Sequence, residues 1–525
     1  MIKLVKKNIY PIILFFTSLL IFVPTFKIRF SWIDDGWDIL VAKRLIRGVT
    51  TFNFDLVISN IIETSIGRFR PMYWLWQTIV YSIGGSSSYI HYFLHYLLIF
   101  SICLLVYNLI LYFSKSSISS LLGSLLFVLI PINTENFIRL GPAEPVMIFF
   151  ILLSLFTYFK LKKNNQAILF MLFAFLTKET AIAIVPTFIM YTLIKFVSVK
   201  KIKDEFKMCI YLVVLSMLSI IISLLNRKGY SNSYVFDLNT SIYNFKLYLN
   251  FIKSAFPLGV LFISTFVLRN IRPIVNFKIK SIKDFELIKL FFIFAFIGFI
   301  AIQSPWAWVL NRYTMPAIAM ASIFVGLEIS SLISYFSKYK LLSIIISIVS
   351  FCYLVIFFAY SYISINEQIT RQIHSTENIY QILKTVADVS PVNGKVYFNF
   401  KNNEGTMEPL FEADIHLKLF LNRQDIKVGF VEDIDPAEKN YLIVSGTPLG
   451  SFKHTEDNKL LSSKKLIKYD SYGNDSKFLV ISNFSTVTKQ FGKNVISSLR
   501  NQRSLSSDGI YTDYLLKDNW RIYYY

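Results

Sequence analysis

The stretch Trp32-Ile33-Asp34-Asp35-Gly36-Trp37-Asp38 follows directly on the first long apolar run, residues 9–26. Three carboxylates stand within five positions, beside two tryptophans. Tryptophan favours the membrane–water boundary, where its ring is half buried and its N–H stays wet. Carboxylates at that depth are costly unless a substrate, a cation or a basic partner meets them. Asp34 and Asp35 are therefore candidate catalytic bases facing the outer membrane surface. The structural alternative is that one of them caps the helix that follows.

Composition supports the membrane setting. Hydrophobic residues make up 54% of the 525-residue chain and aromatic residues 17%. Several apolar runs approach the ~20 residues that a helix needs to cross the hydrocarbon, so the chain reads as a multi-span membrane protein. The net charge of +21 does not then argue for nucleic acid. Most Lys and Arg fall in short loops between spans, where they set orientation. Cys103, Cys209 and Cys352 all sit in apolar runs, so no disulfide framework is implied. Lys3, Lys6 and Lys7 precede the first run, and no small-x-small cleavage site follows it. That predicts a retained first span with a cytoplasmic N-terminus.

Taken in order, the chain predicts about eleven spans. After the first, residues 27–88 form a polar and amphipathic outer stretch with Arg44, Arg47 and Gly67-Arg68-Phe69-Arg70-Pro71. Residues 72–85 are aromatic, interrupted by Gln77, and predict a helix lying along the interface. Further spans are expected near residues 90–113, 118–132, 181–196, 208–225, 251–268, 287–302 and 341–362, with others starting near 146, 167 and 311. The outer loop from Asn226 to Asn250 reads as a flap over bound substrate. Lysine clusters mark alternate loops as cytoplasmic, which puts the C-terminal tail outside. From Ser364 the charged and polar residues increase. Residues 366–388 predict an amphipathic helix, and residues 395–400, 441–445 and 477–482 predict strands. The expected fold class is an α-helical polytopic membrane protein with a small C-terminal α/β extracytoplasmic domain. Residues 1–363 would form the transmembrane catalytic domain and residues 364–525 the outer domain.

This topology collects charges at the outer boundary: Asp34, Asp35, Arg70, Glu135, Arg139, Glu144, Lys178, Glu179, Arg227, Lys228 and Arg312. Acids and cations from distant spans on one side describe a polar pocket. A lipid-phosphate-linked sugar suits such a pocket. Its phosphate needs Arg or Lys, and Arg offers paired donors. Its leaving group is an anion, which fixed positive charge stabilises. An acceptor hydroxyl needs a base within hydrogen-bond reach.

These residues resemble a family, the GT-C superfamily of polytopic glycosyltransferases. More narrowly, they are similar to its protein O-mannosyltransferase and aminoarabinose-transferase branch. The matches are the Asp34-Asp35 pair, Arg68-Phe69-Arg70-Pro71 with His91-Tyr92-Phe93-Leu94-His95, and Pro131-Ile132-Asn133-Thr134-Glu135 with Gly141-Pro142-Ala143-Glu144. Lys178-Glu179-Thr180 and Asn311-Arg312-Tyr313 with Pro316 complete the set, which spans residues 10–330. The resemblance implies an inverting transferase that uses a polyprenyl-phosphate sugar donor and a glycan, lipid or protein acceptor. By the same resemblance Asp34 or Asp35 is the base and Arg70, Lys178 and Arg312 stand near the donor phosphate. Glu135, Arg139, Glu144 and Glu179 complete the candidate substrate-binding set. Two features depart from the pattern. Gly141-Pro142 lacks the family's Arg, for which Arg139 stands nearby, and the tail has no tetratricopeptide repeats.

Each feature has a plainer reading. His91 and His95, spaced i, i+4, are better polar contacts than metal ligands. Glu135 and Glu144 suit ion pairs with Arg139, Lys178 and Glu179 suit a pair with each other, and Arg312 suits a snorkelling role. Trp306 and Trp308 read as interface anchors. No cofactor is certain. Asp34 and Asp35 leave room for a divalent cation, without a complete ligand set. The rival functions are a polytopic transporter or lipid flippase and a non-catalytic cell-envelope assembly protein.

Overall fold

Long apolar helices account for most of the chain. In the computed structural model they are α1 (Ile2–Phe22), α2 (Asp35–Thr50), α3 (Phe54–Glu63), α4 (Pro71–Gly84), α5 (Ser88–Ser114), α6 (Ser117–Leu129), α7 (Thr134–Ile138) and α8 (Glu144–Phe156). There follow α9 (Asn164–Phe175), α10 (Ile184–Val199), α11 (Lys203–Leu225), α12 (Leu238–Ala255), α13 (Asp284–Gln303), α14 (Met315–Phe336), α15 (Lys340–Val389) and α16 (Glu404–Leu419). The structure describes residues 2–31, 34–63, 69–199, 203–225, 237–256, 259, 262–268, 284–306, 309–337, 339–399, 404–435, 440–445, 465–468, 476–481, 511–516 and 521–524. Trp32, Arg68, Arg227, Lys228, Trp308 and the basic loop at 269–283 lie outside them.

Among the described residues, seven helices are long and apolar enough to cross a membrane, and α6 joined to Pro131–Ile138 makes an eighth. That pair bends by 55°, at Pro131, which cannot donate into the helix ladder. The shorter α9 matches the expected fifth span, and the expected eighth falls partly outside the described residues. The first half of α15 matches the eleventh. The chain is thus a multi-pass membrane protein. Part of the expected outer flap is helical, since α12 begins at Leu238, and residues 226–236 lie outside the described set. Inside the bundle, Lys289 is fully buried and bonds Glu328 at 2.8 Å and Glu286 at 3.0 Å. It lies under two turns from the start of α13, and a carboxylate at that depth offsets its desolvation.

The expected span 341–362 and amphipathic helix 366–388 form one continuous helix of 50 residues, α15. No Gly or Pro interrupts Lys340–Val389, so the change of composition marks the exit from lipid and does not break the helix. The helix stops just ahead of Pro391, which disfavours helical backbone in the preceding residue.

Beyond it, seven strands are described: β1 (Lys395–Phe398), β2 (Lys427–Phe430), β3 (Tyr441–Ser445), β4 (Lys465–Lys468), β5 (Ser476–Ile481), β6 (Tyr511–Leu516) and β7 (Arg521–Tyr524). Five form a mixed sheet in the order β2-β1-β3-β7-β4, and β5 pairs antiparallel with β6. β1 runs parallel to both β2 and β3, and α16 supplies the crossover from β1 to β2. The core of this α/β unit packs Ile379, Ile382 and Val386 of α15 against Val396, Phe398 and Leu417. The last turns of the long helix therefore belong to the core of the α/β unit.

Candidate active site

The acidic stretch sits at the mouth of the bundle, where α2 begins. Asp34 occupies the N-cap position with a φ of 71°, and its side chain makes no capping bond. Asp35 makes none there either. Its carboxylate accepts the Ser31 N–H at 2.8 Å, closing the loop on itself. The capping alternative is thus not what these side chains do. The free N–H of Trp37 is met by the Glu412 carboxylate of α16 at 3.0 Å. The α/β unit places an anion at the positive end of α2, where a carboxylate is favoured.

The three aspartates have three environments. Asp34 is 38% exposed in its side chain and bonds Arg139 at 3.1 Å. Asp35 is buried, and burial pushes its carboxyl up to about 7, opposed by the Ser31 N–H and by Arg139. Asp38 is buried, and burial, reinforced by Asp34, drives its carboxyl well above the usual range. Tyr73 Oη lies 2.5 Å from Asp38 Oδ2 and 2.7 Å from the Gly141 carbonyl oxygen. The phenol has one proton, and the carbonyl only accepts. Both contacts are hydrogen bonds when Asp38 carries a proton and donates to Tyr73. Gln77 bonds Asp38, Tyr73 and the Leu140 carbonyl, tying α2, α4 and the 140–141 segment together.

Around Asp34 the charges interlock. Arg139 also bonds Glu135 at 3.1 Å, one helical turn back. The Arg312 guanidinium stands 3.7 Å from Glu135 and 4.0 Å from Asp34, longer contacts than those of Arg139. Asn136 fixes Arg312 from behind by donating to its carbonyl at 2.8 Å. Tyr313 links this cluster to the next: its ring lies 5.5 Å from the Arg312 guanidinium carbon and 4.6 Å from Lys178 Nζ. Lys178 is buried and bonds the buried Glu144. Burial lowers Lys178 to about 8, and Glu144 pulls it back up. Beside them Arg70 grips Glu179 with contacts of 2.9, 3.0 and 3.2 Å.

All nine expected site residues lie in this region, but their pairing differs from expectation in two places. Lys178 bonds Glu144, and Glu179 bonds Arg70. The Lys178 backbone is extended, with φ −157° and ψ 132°, which turns adjacent side chains to opposite sides. Arg312 points into the cluster and does not snorkel. Trp306 is buried, edge-on to Tyr313, and is not an interface anchor. The rings of His91 and His95 each bond a backbone carbonyl, of Gly85 and Asn136. Among the described residues no group of three His, Cys, Asp or Glu side chains is placed to hold a metal ion.

Asp38 stands in the acidic stretch but had no assigned role, and two participants, Tyr73 and Glu412, were not foreseen. Tyr73 had one faint sequence signal, the lone amide Gln77 in an aromatic helix. Glu412 had none, being 375 residues from its partner. Gly141 is a close approach: a Cβ there would lie 2.4 Å from Asp34 Cβ and 2.8 Å from its Oδ2.

Apolar spans with a charged centre at their mouth and an α/β unit beside it are an architecture shared with solved structures of a polytopic membrane protein. The crystal structure of ArnT from Cupriavidus metallidurans bound to undecaprenyl phosphate matches with a TM-score of 0.50 and 12% identity, covering 89% of this chain and 97% of that one. The apo state of the same protein matches with a TM-score of 0.51 and 12% identity, covering 88% and 96%. No protein-family model matches the sequence, and no curated protein matches it significantly.

Proposed function

We propose that this chain is a membrane glycosyltransferase that moves a sugar from a polyprenyl-phosphate donor to a glycan, lipid or protein acceptor at the outer face, with inversion. Residues 1–363 bind the donor, and residues 364–525 form the outer unit. The observation that carries the reading is the meeting of Asp34, the Glu135–Arg139 turn and Arg312, three segments far apart in sequence, at one mouth. The shared fold with a protein crystallised with undecaprenyl phosphate supports the donor class.

Asp34 is the base, because an acceptor hydroxyl must reach the carboxylate. Asp34 is 38% exposed, whereas Asp35 and Asp38 are buried at 1% and 5%. The acceptor oxygen attacks the anomeric carbon, and its proton passes to Asp34. The bond from that carbon to the phosphate oxygen breaks, and polyprenyl phosphate leaves with the electron pair. Asp35 positions Asp34 by holding the loop through Ser31.

The donor phosphate goes to Arg312. Arg70, Arg139 and Lys178 each hold a carboxylate within 3.1 Å, while among the described residues the guanidinium of Arg312 meets carboxylates at 3.7 and 4.0 Å. An incoming phosphate therefore displaces least there. A cavity of about 320 Å³ opens beside the cluster, between α4, α5 and α8. Met72, Trp76, Leu97, Val146 and Phe149 give it apolar walls. It starts two residues from Arg70 and from Glu144, and it accommodates the first isoprene units.

The test is a panel of polyprenyl-phosphate sugars offered to the purified protein, with released polyprenyl phosphate as readout. Asp34→Asn is expected to lose roughly 10²–10⁴-fold in rate, the usual worth of a general base. A wild type that consumes no such donor refutes the enzyme class. An unimpaired Asp34→Asn refutes the base.

A further inference from the structure

The far end of the bundle carries a second cavity, of about 380 Å³. The helix α5 measures the separation. At one end His95 bonds the Asn136 carbonyl, next to Glu135. At the other, Lys115 follows its last residue, and the 20 residues from His95 to Lys115 at ~1.5 Å each span about 30 Å. Lys115, Lys162, Lys195 and Asp284 line this cavity, with Tyr112 and Tyr191 among its walls. The three lysines come from three separate segments: the ends of α5 and of the Thr157–Leu161 turn, and α10.

Lysines at this end of the helices have a plainer explanation, since they set orientation and suit helix C-termini. That explanation accounts for lysines fanned into water. It does not account for three that border one hollow with aromatic sides. Lys195 is already held by Glu205. Lys115 lies over the Tyr112 ring at 4.7 Å, and among the described residues neither it nor Lys162 has a carboxylate in salt-bridge reach. Asp284, at the first residue of α13, adds an acceptor across the cavity.

We propose that this cavity holds the phosphodiester head group of a membrane phospholipid from the lysine-rich leaflet. Lys115 and Lys162 take the phosphate, the Lys195–Glu205 pair closes the floor, and Asp284 accepts a hydrogen bond from a hydroxyl or amine on the head group. The tyrosine walls lie along the upper acyl chain. The site is independent of the transferase chemistry, and its test needs no turnover.

Native mass spectrometry of the full chain in detergent, titrated with phosphatidylglycerol, reads the binding directly. Glycerol phosphate in parallel separates a lipid site from a free-phosphate site. The wild type should retain the lipid, and Lys115→Ala with Lys162→Ala should weaken it roughly thirtyfold. Each charge is worth ~1 kcal/mol near an anionic surface, and 1.4 kcal/mol is tenfold. Lys207→Ala, on the same end but outside the cavity, and Arg312→Ala, at the other mouth, should retain it. Singly, Lys162→Ala should give a partial loss, so that a double variant that fails to fold still leaves a reading. Undiminished binding in the single and double variants overturns the proposal. So does an equal loss in Lys207→Ala, or glycerol phosphate competing as well as the lipid.

Discussion

Gly141→Ala tests the geometry of the mouth more sharply than removing a charge. The added methyl would stand 2.4 Å from Asp34 Cβ and 2.8 Å from its Oδ2. Ordinary contact begins near 3.4 Å, so a gap of about 1 Å must open. Asp34 cannot yield by simple rotation, because the clash is at its Cβ and its backbone already sits at φ 71°. A misplacement of ~1 Å at a reacting group costs on the order of 10²-fold in rate, or about 2.7 kcal/mol at 1.36 kcal/mol per tenfold. The assay is polyprenyl phosphate release by purified protein, with a thermal melt to confirm folding. The expected result is a kcat lowered about a hundredfold. If the substitution acts through Asp34, it adds little in an Asp34→Asn background, because coupled sites do not sum. Full activity in Gly141→Ala, or losses that multiply in the double variant, would refute the reasoning.

Three further outcomes are expected. Asp35 titrates near 7 when folded against 3.8 for an ordinary carboxyl. The folded state therefore holds the extra proton, and stability is lost as pH rises from about 4 through 7, on the order of 4 kcal/mol at 1.36 kcal/mol per unit. Melting points between pH 5 and 8 should fall less in Asp35→Asn than in wild type, and parallel curves would count against it. Lys178→Met strands the buried Glu144, at a cost of roughly 3–5 kcal/mol, while Lys178→Met with Glu144→Leu should recover most of it in a thermal inactivation assay. Glu412→Ala removes the acceptor at the start of α2, worth about 1 kcal/mol. Hydrogen exchange in the first turn of α2 should quicken while α5 is unchanged, and unaltered exchange at Trp37 would show that the cap is immaterial.

The spans were legible because lipid demands long apolar runs and tolerates no other backbone arrangement. Strands β1, β3 and β5 were legible as short apolar runs between turn residues, whereas β4 and β7 pair across distant segments. The charges that meet around Asp34 and Lys178 were legible because charge at a membrane boundary is costly and therefore conspicuous. Who bonds whom was not. Lys178 and Glu179 are neighbours in sequence, but one extended residue sends their side chains to different partners. The unity of α15 was hidden by a change of solvent that resembled a change of domain. Glu412 carried no local signature, because its role exists only once the sheet has carried α16 over the start of α2.

The 50-residue helix α15 has a mechanical meaning. At ~1.5 Å per residue it is about 75 Å long, against ~30 Å of hydrocarbon. It therefore works as a mast stepped in the bilayer, with the sheet as its head. Arg29 stays it from the side, by its pair with Glu377 and by lying 4.0 Å over Tyr380. A head mounted in this way has no swivel of its own. A push on the sheet loads the mast, and the same thrust reaches the start of α2 through Glu412.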